Sequence, residues 1–255
     1  MASGATRGFE QLFSRQAAGY AASRPDYPSA LIEFVAGCAA RRRWAWDCAT
    51  GSGQAALPLS AYFDRVIASD ASPRQLGHAH RGPRIDYVAA AAEASGIADH
   101  AIDLVTVAQA LHWFDRDRFY AEVRRVLAPG GVIAVWSYGD PRVADDTALD
   151  AALMQFNTGF LGAYWPPDRG LVGEGYRALP FPFAERSSPA FSIEREWTRP
   201  ELAAYMRSWS SRARYLERHG TDPVDGFERD VQPLWGAPAS RHRIVWPVTV
   251  RVGGV

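Results

Sequence analysis

Apolar positions in this chain change their spacing twice, and each change marks a different kind of element. Phe9, Leu12 and Phe13, with Gln16, follow helical spacing, and residues 9–40 read as helical apart from one break. The break is Tyr20 to Pro28, where Pro25 and Pro28 force an extended turn. Ser29 can then cap a helix whose buried side is Leu31, Ile32, Phe34 and Val35. From residue 43, short apolar runs alternate with helical segments. The runs cover about 43–48, 65–69, 85–89, 102–108 and 132–136. The fourth, Ile102 to Ala108, is mostly β-branched and apolar, as a strand buried on both faces should be. Ser72-Pro73 and Asp115 open helices, and the second carries Phe119, Val123, Val126 and Leu127 on one side. Short strands separated by helices predict an α/β fold, a parallel sheet with right-handed crossovers.

After Gly139 the alternation stops. A helix is expected over about 144–160, then a Pro-, Gly- and aromatic-rich loop over about 162–183. Phe191, Ile193, Arg195 and Trp197 alternate as one face of a strand, and Glu201 to Glu217 read as one helix, with Tyr205 and Trp209 on one face. A last strand places Ile244, Trp246, Val248 and Val250 on one face. Pro247 inside it lacks a ladder donor and predicts an edge or a bulge. Pro58 conflicts in the same way with a helix starting near Gly53, and should kink it or end it early.

Composition narrows the function. Lys+Arg and Asp+Glu are both 28, so a nucleic-acid binder driven by phosphate neutralisation is not expected. The N-terminus lacks the apolar core of a signal peptide. No apolar run approaches the ~18 residues of a membrane helix, so a soluble cytoplasmic protein is expected. Cys38 and Cys48 have no metal-ligand spacing and read as small apolar residues, and no metal is expected. Nine tryptophans and ten tyrosines, many after residue 160, could wall an organic substrate.

The chemistry concentrates at Asp47-Cys48-Ala49-Thr50-Gly51-Ser52-Gly53, where the first strand runs into a small-residue loop. Asp70 ends the second strand, where a carboxylate can accept hydrogen bonds from both hydroxyls of a ribose. The pair predicts a nucleoside cofactor. Gly51-Ser52-Gly53-Gln54-Ala55-Ala56 also satisfies G-x-G-x-x-A, so a dinucleotide oxidoreductase is one reading of the loop alone.

Asp47 to Gly53 resembles motif I of the class I S-adenosylmethionine-dependent methyltransferases, with Ala49 in place of the motif's first glycine. That exchange is tolerable only if φ is negative at Ala49. Tyr20 to Pro28, Ala108 to Phe114 and Leu127 to Gly131 are similar to methyltransferase type 11 proteins of the trans-aconitate methyltransferase-like group. The resemblance implies a Rossmann-like, doubly wound, mostly parallel seven-stranded sheet with an antiparallel C-terminal strand and a helical and loop cap. It implies one domain over 1–255: N-terminal helices and lid over 1–42, a cofactor-binding core over 43–139, and cap segments with C-terminal strands over 140–255.

The cofactor implied is S-adenosylmethionine, released as S-adenosylhomocysteine. Its site would comprise Tyr20, Arg24, Asp47, Ala49, Thr50, Gly51, Gly53, Asp70, Ala71, Ala92, Glu93, Gln109, Ala110 and Trp113. Ala91 leaves the adenine without the family's usual carboxylate, so backbone near Ala92 would hold it. Methyl transfer is an in-line displacement that needs alignment and water exclusion rather than a metal. The expected acceptor is a small organic molecule, with a carboxylic acid foremost. A hydroxyl or amine would want a base, and His112 is the candidate, against a structural role as a hydrogen-bonded histidine. Trp136, Tyr138, Trp165, Arg169 and Trp209 are candidate substrate residues, with Arg169 a possible anion clamp. The residues are silent on oligomeric state. The alternatives carried are a nicotinamide-dependent oxidoreductase and a non-catalytic S-adenosylmethionine-binding protein.

Overall fold

The computed structural model describes residues 25–237 and 239–255. Tyr20 and Arg24 lie outside the described residues. Nine strands form one sheet: β1 (Trp44–Cys48), β2 (Arg65–Asp70), β3 (Ile85–Ala89), β4 (Ile102–Ala108), β5 (Leu127–Tyr138), β6 (Arg142–Val143), β7 (Ala184–Arg186), β8 (Phe191–Trp197) and β9 (His242–Gly254). Strands β3-β2-β1-β4-β5 pair in that order, all parallel. Strand β9 runs antiparallel to β5 along one side and to β8 along the other. Seven strands have five or more residues, as the resemblance implies. The two-residue β6 continues the track of β5, and the three-residue β7 that of β8, each against β9.

Apolar side chains fill both faces of the sheet. Helix α1 (Ser29–Gly37) covers one face with Leu31, Ile32 and Val35. Its N-cap position is Pro28 rather than Ser29, and it has no side-chain cap. On the same face lie α2 (Ala56–Leu59) and α3 (Pro73–Gly77). Helix α2 is a single turn. Pro58 therefore sits where a first-turn amide has no intrahelical partner, which resolves the conflict by keeping the helix short. On the opposite face α4 (Arg116–Val126), capped by Asp115, buries Phe119, Val123 and Val126.

The cap departs from the sequence reading in five places. Helix α5 (Thr147–Met154) passes into a π-helical turn over Gln155–Phe160, and a short α6 (Arg169–Gly173) lies inside the expected loop. The single helix expected over 201–217 is two, α7 (Arg199–Arg207) and α8 (Ser210–His219). Trp209 occupies the N-cap position of the second, so Tyr205 and Trp209 do not share one helix face, although their rings meet edge to face with centroids 5.8 Å apart. A further helix, α9 (Pro223–Trp235), was signalled by Asp222-Pro223 and by the spacing of Val224, Phe227, Val231 and Trp235, all buried. Finally, β9 is interior and unbulged at Pro247. The carbonyl of Pro247 accepts from Gly139 N at 2.8 Å, so its missing N–H faces the 139–141 interruption between β5 and β6, where no ladder bond is required. Among the described residues no helix is long and apolar enough to cross a membrane.

Candidate functional site

Parallel strands β1, β2, β4 and β5 all end at the same edge of the sheet, so the loops that follow them share one crevice. Asp47, on β1, is buried at 1% exposure. Its carboxylate accepts from Thr50 Oγ1 at 2.5 Å and from Thr106 Oγ1 on β4 at 2.7 Å. Burial outweighs these bonds and a backbone bond from Ala56, and raises its pKa to about 6. Asp47 thus staples the loop to the neighbouring strand and stays out of solvent.

Asp70 ends β2 and turns toward the same loop. One carboxylate oxygen accepts from Gly51 N at 2.9 Å and the other from Ser72 N at 2.8 Å. Burial pushes its pKa up, against those two amides. Each oxygen keeps a lone pair, so both can still accept from a ligand diol.

The loop's backbone is left-handed at Ala49 (φ 55°), Gly51 (56°) and Gly53 (83°). The expectation of negative φ at Ala49 is therefore wrong. The tight turn demands the conformation that the motif's glycine would supply, and Ala49 adopts it at a cost of about 1–2 kcal/mol. Gly53 is needed sterically as well. A Cβ there would fall inside the Tyr87 hydroxyl, which is held by His80 O at 2.5 Å. Gly53→Ala is expected to destabilise the protein by roughly 1–3 kcal/mol, read as a lower urea midpoint at unchanged m-value. An unchanged midpoint would show that Tyr87 moves aside freely.

After β4 the chain makes a second left-handed residue, Gln109 (φ 59°), whose Nε2 donates to Tyr138 O at 3.4 Å. Ala110 is buried, and Leu111–Trp113 form a 3₁₀ turn. His112 packs at a tilt on half-exposed Trp113 with ring centroids 4.5 Å apart, and its Nδ1 lies 2.9 Å from Tyr176 Oη. Tyr176 is fully buried and itself left-handed (φ 60°). No local pattern marks it, since it lies 64 residues from its partner.

Ala92 is buried beside the crevice, Ala71 is exposed, and Glu93 Oε1 accepts from Asp115 N at 2.9 Å, tying the segment after β3 to α4. Trp136 and Tyr138, on β5, are buried against Tyr27, with centroids 5.5 and 6.5 Å away. In the cap, Arg169 forms an ion pair with Asp140, just past β5, and its guanidinium lies 4.0 Å over the ring of Trp165. An anion clamped by Arg169 would share its guanidinium with Asp140. Trp165 packs on Trp209 at 5.5 Å. The sequence candidates therefore form two groups, a loop group at the ends of β1, β2 and β4 and an aromatic group at the end of β5, joined through Gln109 and Tyr138.

A glycine loop after β1 and a carboxylate ending β2, on a sheet of order 3-2-1-4-5, place the chain in the doubly wound class whose crevice takes nucleoside cofactors. Comparison with known proteins narrows the class. Residues 46–135 match the family described as methyltransferase domain. A solved structure assigned to a type II methyltransferase from Anaeromyxobacter dehalogenans is 41% identical. It covers 91% of this chain and 97% of its own, with a TM-score of 0.86. A methyltransferase-named protein of Dictyostelium discoideum is 29% identical over 216 residues, 84% of this chain and 82% of the relative. An uncharacterised methyltransferase of Mycobacterium tuberculosis is 35% identical over 133 residues, and the match spans 54% of that protein. The chain belongs to the class I S-adenosylmethionine-dependent methyltransferases, and its cofactor is S-adenosylmethionine. The nicotinamide reading of the glycine loop is set aside accordingly.

Proposed function

We propose that this methyltransferase transfers its methyl group to a small organic molecule, with a carboxylate oxygen as the acceptor. When bound, S-adenosylmethionine supplies a positively charged sulfonium methyl open to in-line displacement. Asp70 would accept the ribose hydroxyls. Asp47 would hold the loop of Ala49, Thr50, Gly51 and Gly53 in shape, and Ala71, Ala92, Glu93, Gln109, Ala110 and Trp113 would complete the cofactor wall. Tyr20 and Arg24 would close over it from the N-terminal segment. In this reading residues 1–255 act as one cytoplasmic domain.

The observation that carries the acceptor class is the tethering of His112. Its Nδ1 is engaged by a buried tyrosine in a stacked aromatic cluster, which suits a wall better than a proton carrier. A carboxylate acceptor has no proton to lose, so no base is required. The residues on β5 and in the cap, Trp136, Tyr138, Trp165, Arg169 and Trp209, would then orient the acceptor and exclude water.

Incubation with methyl-labelled cofactor and a panel of carboxylic acids, phenols and amines tests this. The expected product releases its label on mild alkali, as an ester does. Alkali-stable label on a phenol or amine would overturn the carboxylate reading and return His112 to the role of base.

A further inference from the structure

We propose that Asn157 is a specificity-determining residue, its side-chain amide donating to a carbonyl or carboxylate oxygen of a flat, largely apolar acceptor molecule. The inference rests on the methyltransferase reading and deepens it. Asn157 is 1% exposed and sits in the π-helical turn over Gln155–Phe160, a form that interrupts helices most often where a side chain must be aimed for function. Trp165 Nε1 donates to Asn157 Oδ1 at 3.0 Å and to Asn157 O at 3.1 Å. An indole N–H is only a donor, so it fixes the amide orientation: Oδ1 faces the indole and Nδ2 faces away from it. Nδ2 is buried and has no hydrogen-bond partner among the described residues. A native protein rarely buries such a donor without use, because the lost hydration is uncompensated.

Its surroundings indicate the ligand. Trp165 packs against Trp209 with ring centroids 5.5 Å apart, and Arg169 lies 4.0 Å over its ring and ties it to Asp140, just past β5. The donor therefore belongs to an aromatic cluster that Arg169 ties to Asp140, at the strand end where the crevice opens. A second buried donor without a described partner, Trp136 Nε1, lies on β5 itself. A neutral amide donor beside an indole ring fits an oxygen acceptor on a planar body.

The test uses the full chain loaded with S-adenosylhomocysteine and, as probes, benzoate, acetophenone and ethylbenzene. The Asn157 side-chain amide resonances, assigned by their absence in Asn157→Leu, are expected to shift with benzoate or acetophenone and not with ethylbenzene. Asn157→Leu should weaken binding of the oxygen-bearing probe roughly tenfold, with S-adenosylhomocysteine affinity unchanged. The variant leaves Trp165 Nε1 its backbone partner. If it does not fold, Asn157→Asp removes the donor while retaining the acceptor for the indole, and the same loss is expected for acetophenone. Unmoved Asn157 resonances with both oxygen-bearing probes, or equal probe affinity in the variant, would overturn the proposal. Failure of the wild-type chain to bind S-adenosylhomocysteine, measured separately by calorimetry, would instead overturn the methyltransferase reading.

Discussion

Asp70→Ala is expected to weaken S-adenosylhomocysteine binding by about 1.5–3 kcal/mol, roughly tenfold to more than a hundredfold. Two effects add. The ribose would lose charge-assisted acceptors for its hydroxyls, and Gly51 N and Ser72 N would lose the carboxylate that anchors the loop from both sides. Asp70→Asn separates them. It keeps an acceptor for one amide and the size of the side chain but lacks the charge, and should fall between wild type and alanine. Isothermal titration at pH 7.5 measures all three. Alanine affinity within a factor of two of wild type would remove Asp70 from the cofactor site.

The second large effect is a pH dependence of stability centred on Asp47. Burial raises this carboxyl from 3.8 to about 6. Folded Asp47 therefore holds its proton more tightly than unfolded Asp47. Its favourable contribution is complete below the unfolded value near 4 and is lost as pH rises through 6. The full range is about 3 kcal/mol, of which about half disappears between pH 5 and 8. Burial also raises Asp70, so it acts in the same direction. The carboxyls held low behave oppositely. Arg125 beside Glu122 lowers it to about 2, and Arg142 lowers Asp150, so their stabilisation is lost only as pH falls below about 4.5. Between pH 5 and 8 those groups are constant, and the difference between wild type and an Asp47 variant separates Asp47 from the histidines that titrate in the same range.

Urea unfolding of wild type and Asp47→Asn across that range should show the wild type losing stability relative to the variant as pH rises. Parallel curves would mean that Asp47 is charged throughout. The arrangement has a functional sense. Two buried acids that resist ionisation when the site is empty are stabilised as anions by a cationic ligand, so cofactor binding should flatten the wild-type slope.

The core of the fold was legible because its signals are local. Each parallel strand is a short apolar run with a helix after it, and the predicted spans for β2, β3 and β4 lie within one residue of those observed. The loop acids were legible for the same reason. Asp47 and Asp70 stand at strand ends that the apolar pattern itself marks. The cap was harder. Ser208-Trp209 breaks one helical pattern into two because Trp209 turns inward onto Trp165, a contact between segments 44 residues apart. Pro247 looked like an edge residue because sequence does not say which side of a strand has a gap beside it. The backbone at Ala49 contradicted a rule that holds for alanine in general, because the surrounding bonds of Asp47 and Thr50 impose the turn.

By itself, then, the sequence determined the alternation of strands and helices, the glycine loop and the two acids at the strand ends beside it, since these depend on periodicity and on neighbours within one turn or strand. Only the tertiary structure decided what each polar group in the crevice has left to offer. Arg169 is paired with Asp140, His112 Nδ1 is engaged by Tyr176, and the amide oxygen of Asn157 is taken by Trp165. A side chain's capacity for chemistry depends on which of its donors and acceptors are already taken, and its partners here come from parts of the chain that only the sheet and its cap bring together.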